Sequence, residues 1–218
     1  YMWLLLDNNQ ALIIHLGMSG QVLLPNIAEP PHRHLRIRLS IAEVDKEIHF
    51  VDQRTFGHMT LDDLENGVPK SVQKIAPDVF EPEYQQKVVI EKIRKSNSEI
   101  KKLLLDQGVM SGVGNIYADE IMHRAGLRWS RVPGRLSMAT IERLHKAIVQ
   151  ILGDAVASGG STLDDSQYVD VMGDTGSYQN EHRVYGRAGE MCLSCNKARI
   201  SRTTVAGRTT CYCAVCQR

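Results

Sequence analysis

The sequence predicts an α+β protein with a β-rich lobe to about Val79, a helical lobe from about Phe80, and a cysteine module at the C-terminus. Three observations carry that reading. Short apolar segments bounded by turn residues fill the first part of the chain. Apolar residues then recur at helical spacing from Val88 to Gly160. All five cysteines lie from Cys192 onward.

The elements follow in order. Met2–Leu6 and Ala11–Leu16 flank Asp-Asn-Asn-Gln, which predicts a hairpin. After a Pro-rich loop, His34–Ser40 alternates apolar and polar residues, and Lys46–Asp52 follows a short turn. Helical patterns then occupy Val88–Lys95, Ser98–Asp106 with Ser98 as N-cap, and Asn115–Gly126 with a closing glycine. Ser137–Gly160 predicts the longest helix, with Ser137 as N-cap and Gly159–Gly160 as its stop. Residues 161–179 lose periodicity and read as a long functional loop. From about Val184 the chain reads as a β-ribbon around the cysteines.

Composition excludes several classes. With 43% hydrophobic and 23% charged residues the chain is ordinary globular material. No apolar run reaches the ~18–20 residues of a membrane span, so no membrane is expected as a partner. An odd cysteine count with four thiols in Cys-x-x-Cys pairs argues against a secreted disulfide framework and for a reducing cytoplasm. The net charge of +1 hides an asymmetry, because Glu181–Arg218 holds seven Lys/Arg against two Glu. A basic tail on a neutral body suggests a polyanion contact.

Two motifs carry chemistry. Cys192-x-x-Cys195 and Cys213-x-x-Cys216, with 17 residues between the pairs, have the spacing of a four-cysteine zinc ribbon. Four protein ligands leave no open position, so one structural Zn2+ is expected, and Cys211 is left as a packed free thiol. The hairpin between the pairs carries Lys197, Arg199, Arg202 and Arg208, a basic probe for a nucleic-acid groove or, more blandly, a solvated charged hairpin. The second motif is Gln107–Asn115, QGVMSGVGN, between two helices. Its backbone N–H groups and the helix start at Asn115 suit an anion, with Lys101 adding charge. Alone, such a Gly-x-Gly is more often a tight corner; beside a basic ribbon, phosphate binding is the better reading.

Together HLGMSG (His15–Gly20), DQRTFG (Asp52–Gly57), LLLDQGVMSGVGNIYADE (Leu103–Glu120), VYGRAGE (Val184–Glu190) and the cysteine pairs followed by Gln217-Arg218 resemble the formamidopyrimidine-DNA glycosylases, over essentially the whole chain. The resemblance implies a partial β-sandwich over 1–79, a helix-two-turn-helix domain with a lesion-capping loop over 80–180, and a zinc-finger ribbon over 181–218. It implies excision of oxidised purines from double-stranded DNA, nicking of abasic sites, and a monomer. Asn115, Lys101 and His32 are implied as strand contacts. Arg208 is implied to grip phosphate and assist the second elimination. Met18, Arg54 and Phe56 are implied to fill the gap left by a flipped nucleotide, with residues 163–178 closing over the base. Read alone, a Met or Phe on a strand is more often core, and His32 is equally consistent with a solvated loop. The endonuclease VIII group shares the helix corner and the finger, and a zinc-ribbon protein without DNA is a further alternative.

Departures are few. The cysteine pairs stand one residue farther apart than the family pattern, and Cys211 occupies a position usually aromatic or His. The family's N-terminal proline nucleophile, the glutamate after it and a later lysine align upstream of Tyr1, so residues 1–218 are expected to bind damaged DNA without turnover.

Overall fold

A computed structural model describes residues 1–163 and 168–218. The chain divides into two compact units, Tyr1–Gln73 with Ala157–Asn180, and Lys74–Val156 with Glu181–Arg218.

The first unit is a β-sandwich. Its strands are β1 (Met2–Leu5), β2 (Gln10–His15), β3 (Gly20–Leu23), β4 (Leu35–Ser40), β5 (Glu47–Asp52), β6 (His58–Glu65) and β7 (Val68–Pro69). They form two antiparallel sheets, ordered β1-β2-β6-β7 and β3-β5-β4. Ala11, Ile13, Ile14, Phe50 and Val51 are buried as its core. The hairpin at Asp7–Gln10 turns through Asn9 at φ 62°, a left-handed conformation that Asn tolerates.

Strands β3 and β6 are absent from the sequence reading. β3 has only four residues, too few to show alternation, and β6 contains Asp62 and Asp63, which strands disfavour. The structure gives both aspartates partners: Asp62 accepts from Ser71 N at 2.7 Å, and Asp63 pairs with Lys70 at 3.2 Å.

The loop expected to belong with the helices groups instead with the sandwich. Leu24 N, just past β3, donates to Val171 O at 2.8 Å. The loop base is closed by Thr162 N donating to Gln179 Oε1 and Gly176 N donating to Thr162 Oγ1. Of the residues assigned to base capping, 164–167 lie outside the described residues.

The second unit holds α1 (Gln86–Lys95), α2 (Ile100–Leu104), α3 (Asn115–Arg124), α4 (Met138–Ala157) and the hairpin β8 (Ser201–Val205)–β9 (Arg208–Tyr212). Ile93, Ile100, Leu104, Ile121, Leu144 and Ile148 are fully buried in it. The helix expected over Ser98–Asp106 is shorter at both ends. Ser98 is not the N-cap: its N–H donates to Ser96 Oγ, a local serine turn that competes with helix, and Glu99 caps without a side-chain bond. Asp106 leaves the helix to accept from Gly108 N at 2.9 Å. Ser137 does accept from Thr140 N, as an N-cap should. Gly126, at φ +67°, ends α3 in a Schellman turn, with its own N–H bonded to His123 O and Leu127 N to Met122 O.

Candidate nucleic-acid interface

In the second unit the cysteine pairs come together. The sulfurs of Cys192, Cys195, Cys213 and Cys216 all lie within 4.8 Å of one another. Cys192 and Cys216 are 3.8 Å apart, and Cys195 and Cys213 are 3.7 Å apart. A tetrahedron with metal–sulfur bonds of ~2.3 Å has edges of about 3.8 Å, so the four thiols are set for a metal ion. Cys211 stays out of the cluster, buried in the ribbon's small core with Val184 and Ile200, where burial raises its thiol pKa.

Helix α3 is the platform for this ribbon, and it is polar where it is buried. Asp119, Glu120 and His123 are each at most 8% exposed. Glu120 accepts three consecutive backbone N–H groups, from Arg183, Val184 and Tyr185, at 2.8–3.0 Å, fixing the entry to the ribbon. Asp119 Oδ2 accepts from Cys211 N at 2.8 Å, and Asn115 Nδ2 donates to Thr209 O at 3.0 Å. His123 Nε2 lies 3.9 Å from Cys192 Sγ. Gln217 seals the far end by accepting from Cys213 N and donating to Leu127 O.

Strand β9 is therefore laid along the start of α3, with the exposed Arg208 at its first position. Gly114 caps α3 without a side-chain bond, and Asn115 Oδ1 is buried with no partner among the described residues. Arg208, Asn115 and the α3 N-terminus thus make one polar, cationic corner.

Lys101 departs from the expectation. Its side chain is fully buried, and its ammonium donates to Asp119 Oδ1 at 2.5 Å and to Asn115 O at 3.3 Å. A direct phosphate contact is not what this geometry offers: Lys101 holds α2 against α3, because a buried ammonium without a carboxylate partner would be strongly disfavoured. Burial shifts both partners toward neutrality, lowering Lys101 and raising Asp119 to about 6. The charge of Arg208 adds to the effect of burial on Lys101, which places the two cations within reach of each other's field.

In the first unit, Met18, Arg54 and Phe56 are all exposed, and they sit on two loops in close contact. A Cβ on Gly17 would lie 2.7 Å from the Phe56 carbonyl carbon, so only glycine permits the approach. The Arg54 guanidinium stacks over the Phe56 ring at 5.2 Å. His32 is exposed on the loop before β4, its Nδ1 accepting from His34 N at 3.1 Å. In β4 a register shift between Leu35 and Ile37 makes Arg36 the extra residue, and Arg36 Nε donates to Asp52 O at 2.7 Å.

Comparison with known proteins follows the same outline. The family models for the formamidopyrimidine-DNA glycosylase N-terminal domain and H2TH domain match residues 1–59 and 75–167. The formamidopyrimidine-DNA glycosylases of Acidothermus cellulolyticus and Salinispora tropica are 41% and 40% identical over 217 residues, covering 100% of this chain and 76% and 75% of those proteins. The chain belongs to the formamidopyrimidine-DNA glycosylase family. MutM (Fpg) from Thermus thermophilus superposes with a TM-score of 0.84 at 33% identity, over 97% of this chain and 77% of that one. Lactococcus lactis Fpg in complex with DNA containing N7-benzyl-Fapy-dG gives 0.83 at 35% identity, over 96% and 75%.

Within the family frame, sequence reasoning missed Ser19, Arg36, Asp52, Asp119, Glu120 and Gln217. All but Arg36, which stands in the predicted strand His34–Ser40, lie in or beside a quoted motif, and none received a role. One signal was available: Asp119, Glu120 and His123 interrupt the apolar face of a short helix, and polar groups on a buried face need partners. For Asp52, the Arg54 and Gly57 donors are local, but Ser19, 33 residues away, is announced by no local pattern.

Proposed function

We propose that this chain is a base-excision DNA glycosylase for oxidised purines, 8-oxoguanine and formamidopyrimidines, with abasic-site lyase activity, acting as a monomer on double-stranded DNA. The observation that carries the reading is the docking of β9 on the start of α3, which couples Arg208 to Asn115 beside an uncapped helix N-terminus. Helix starts and arginine suit phosphate oxygens, and solved relatives of the chain hold abasic-site DNA and Fapy-dG DNA.

The roles follow from chemistry. Cys192, Cys195, Cys213 and Cys216 would hold one zinc ion, which supplies rigidity and no open coordination position. Arg208 and Asn115 would grip the phosphates flanking the lesion, and Arg208 would steady charge on the phosphate leaving in the second elimination. Met18 and Phe56 would enter the stack where the damaged nucleotide leaves it, with Arg54 toward the unpaired base.

Gel-shift against salt, with borohydride trapping in parallel, tests this on duplexes carrying one 8-oxoguanine, thymine glycol or abasic site. Salt-sensitive binding that favours 8-oxoguanine or the abasic site, with an adduct trapped at the abasic site, is expected. Binding without an adduct overturns the lyase part for residues 1–218. Preference for thymine glycol favours the endonuclease VIII reading, and no duplex binding removes DNA altogether.

A further inference from the structure

Asp52 is fully buried, yet its carboxylate has no cationic partner among the described residues. Ser19 Oγ donates to Oδ1 at 2.5 Å, Arg54 N donates to Oδ1 at 3.2 Å, and Gly57 N donates to Oδ2 at 2.7 Å. Ser19 Oγ is used twice, since it also accepts from Arg54 N at 3.0 Å. The backbone of Asp52 is held as well, its N–H by His34 O at 3.0 Å and its carbonyl by Arg36 Nε at 2.7 Å. Burial raises the carboxyl's pKa, but the Ser19 hydroxyl and the N–H groups of Gly57, Arg54 and Thr55 outweigh it and hold it below the usual range. The carboxylate thus joins the loop of Met18 to that of Arg54 and Phe56, and the backbone of the same residue is paired with His34 and Arg36 at the start of β4.

We infer that Asp52 is the positioning residue of this rim, presetting Met18, Arg54 and Phe56 as one rigid wedge through the Ser19, Arg54 and Gly57 bonds. The inference rests on the wedge role proposed above and deepens it. A turn that merely closed its own loop would need donors from its own segment; Ser19 is 33 residues away. A neutral amide could not replace the carboxylate, because its NH2 would face a donor on one side. Rigidity matters because insertion between bases offsets the cost of unstacking only if the side chains arrive already ordered. Asp52 touches no base or phosphate in this role; it acts through the three residues it sets.

The test uses the full chain and a duplex with one tetrahydrofuran abasic analogue opposite 2-aminopurine, beside an undamaged duplex. Ser19→Ala and Asp52→Asn should each weaken binding to the analogue duplex about tenfold, the scale of one lost charge-assisted hydrogen bond. They should leave undamaged-duplex binding unchanged and blunt the 2-aminopurine response. Ser19→Ala removes a single oxygen and keeps the Arg54 and Gly57 bonds to Asp52, so it should lose less stability than Asp52→Asn and stay folded at the assay temperature, and a folding defect in Asp52→Asn does not decide the matter. If Met18→Ala and Phe56→Ala lose discrimination while both other variants keep it, the inference fails and the wedge reading stands. If the wild-type chain itself does not distinguish the two duplexes, the wedge reading fails and takes the inference with it.

Discussion

Each unit is organised around a fully buried aspartate, and the two are solved in opposite ways. Asp52 in the sandwich is surrounded by neutral donors, one hydroxyl and backbone N–H groups. Asp119 on α3 has one backbone N–H and a buried lysine. The neutral set lowers Asp52 below its ordinary pKa of 3.8, whereas burial of two charges together raises Asp119 to about 6. Several small dipoles aimed at one anion solvate it better than a single countercharge that must itself be desolvated. The sandwich centre is also complete in itself, while the α3 centre depends on the ribbon, which supplies Cys211 N.

That dependence gives the largest expected effect. Chelating the metal should unfold the ribbon, because four thiols without an ion cannot hold so short a hairpin. Asp119 then loses Cys211, and Asn115 loses Thr209 O. Asp52 loses nothing. Hydrogen exchange with and without chelator should show protection lost in β8, β9 and the start of α3 and retained at the N–H groups of Asp52, Arg54 and Gly57. Equal loss at both centres would mean the two are one cooperative body.

Next come the aspartates themselves. Asp119→Ala leaves the Lys101 ammonium buried and unpaired, a loss of about 3–5 kcal/mol. The double variant Lys101→Met with Asp119→Leu should recover most of it, leaving the unmet Cys211 N–H. Asp52→Asn should lose less, about 1–3 kcal/mol, for a donor left facing a donor. Their pH dependence should run in opposite directions. Asp119, with a folded pKa near 6 above its ordinary 3.8, contributes stability that is complete below 3.8 and declines as pH rises through about 6. Asp52, with a lowered folded pKa, contributes stability present above 3.8 and lost as pH falls through its folded value. Between pH 7 and 5 the wild type should therefore gain melting temperature on Asp119→Asn while its advantage over Asp52→Asn stays constant. Parallel slopes would mean that the Lys101 pair ionises like an exposed one.

Much of this was legible beforehand, for physical reasons. The four-cysteine cluster was readable because its ligands lie in two short turns, so spacing alone fixes the geometry. The helices of the second unit were readable because their apolar faces repeat within one element. Strand β6 was hidden because its aspartates are satisfied by Ser71 and Lys70, which sequence does not place beside it. Lys101 was read as surface charge for a like reason: its partner is 18 residues on and meets it only when α2 and α3 pack. Asp52 was the least visible, because Ser19 lies 33 residues before it, and it fixes the most.

The smallest effect concerns two turns, one in each unit. β6 and β7 join through Asn66-Gly67, with φ 54° and 80°, and β8 and β9 through Ala206-Gly207, with φ 49° and 72°. Both are two-residue turns with two left-handed positions, the kind that matches strand twist. Asn tolerates the first position; Ala is strained there by about 1 kcal/mol. Asn66→Ala should destabilise the sandwich, and Ala206→Asn should stabilise the ribbon, each by up to about 1 kcal/mol in thermal or denaturant melts of the metal-bound chain. Ala206 also sits two residues before Arg208, where stored strain could in principle aim the guanidinium. The bonds to Asp119 and Asn115 argue otherwise, since they set the register of β9 on α3 whatever the turn contains. Ala206→Asn should therefore leave affinity for damaged duplex unchanged. A change in affinity without a change in Asp119 or Asn115 would move control of Arg208 from the helix to the turn.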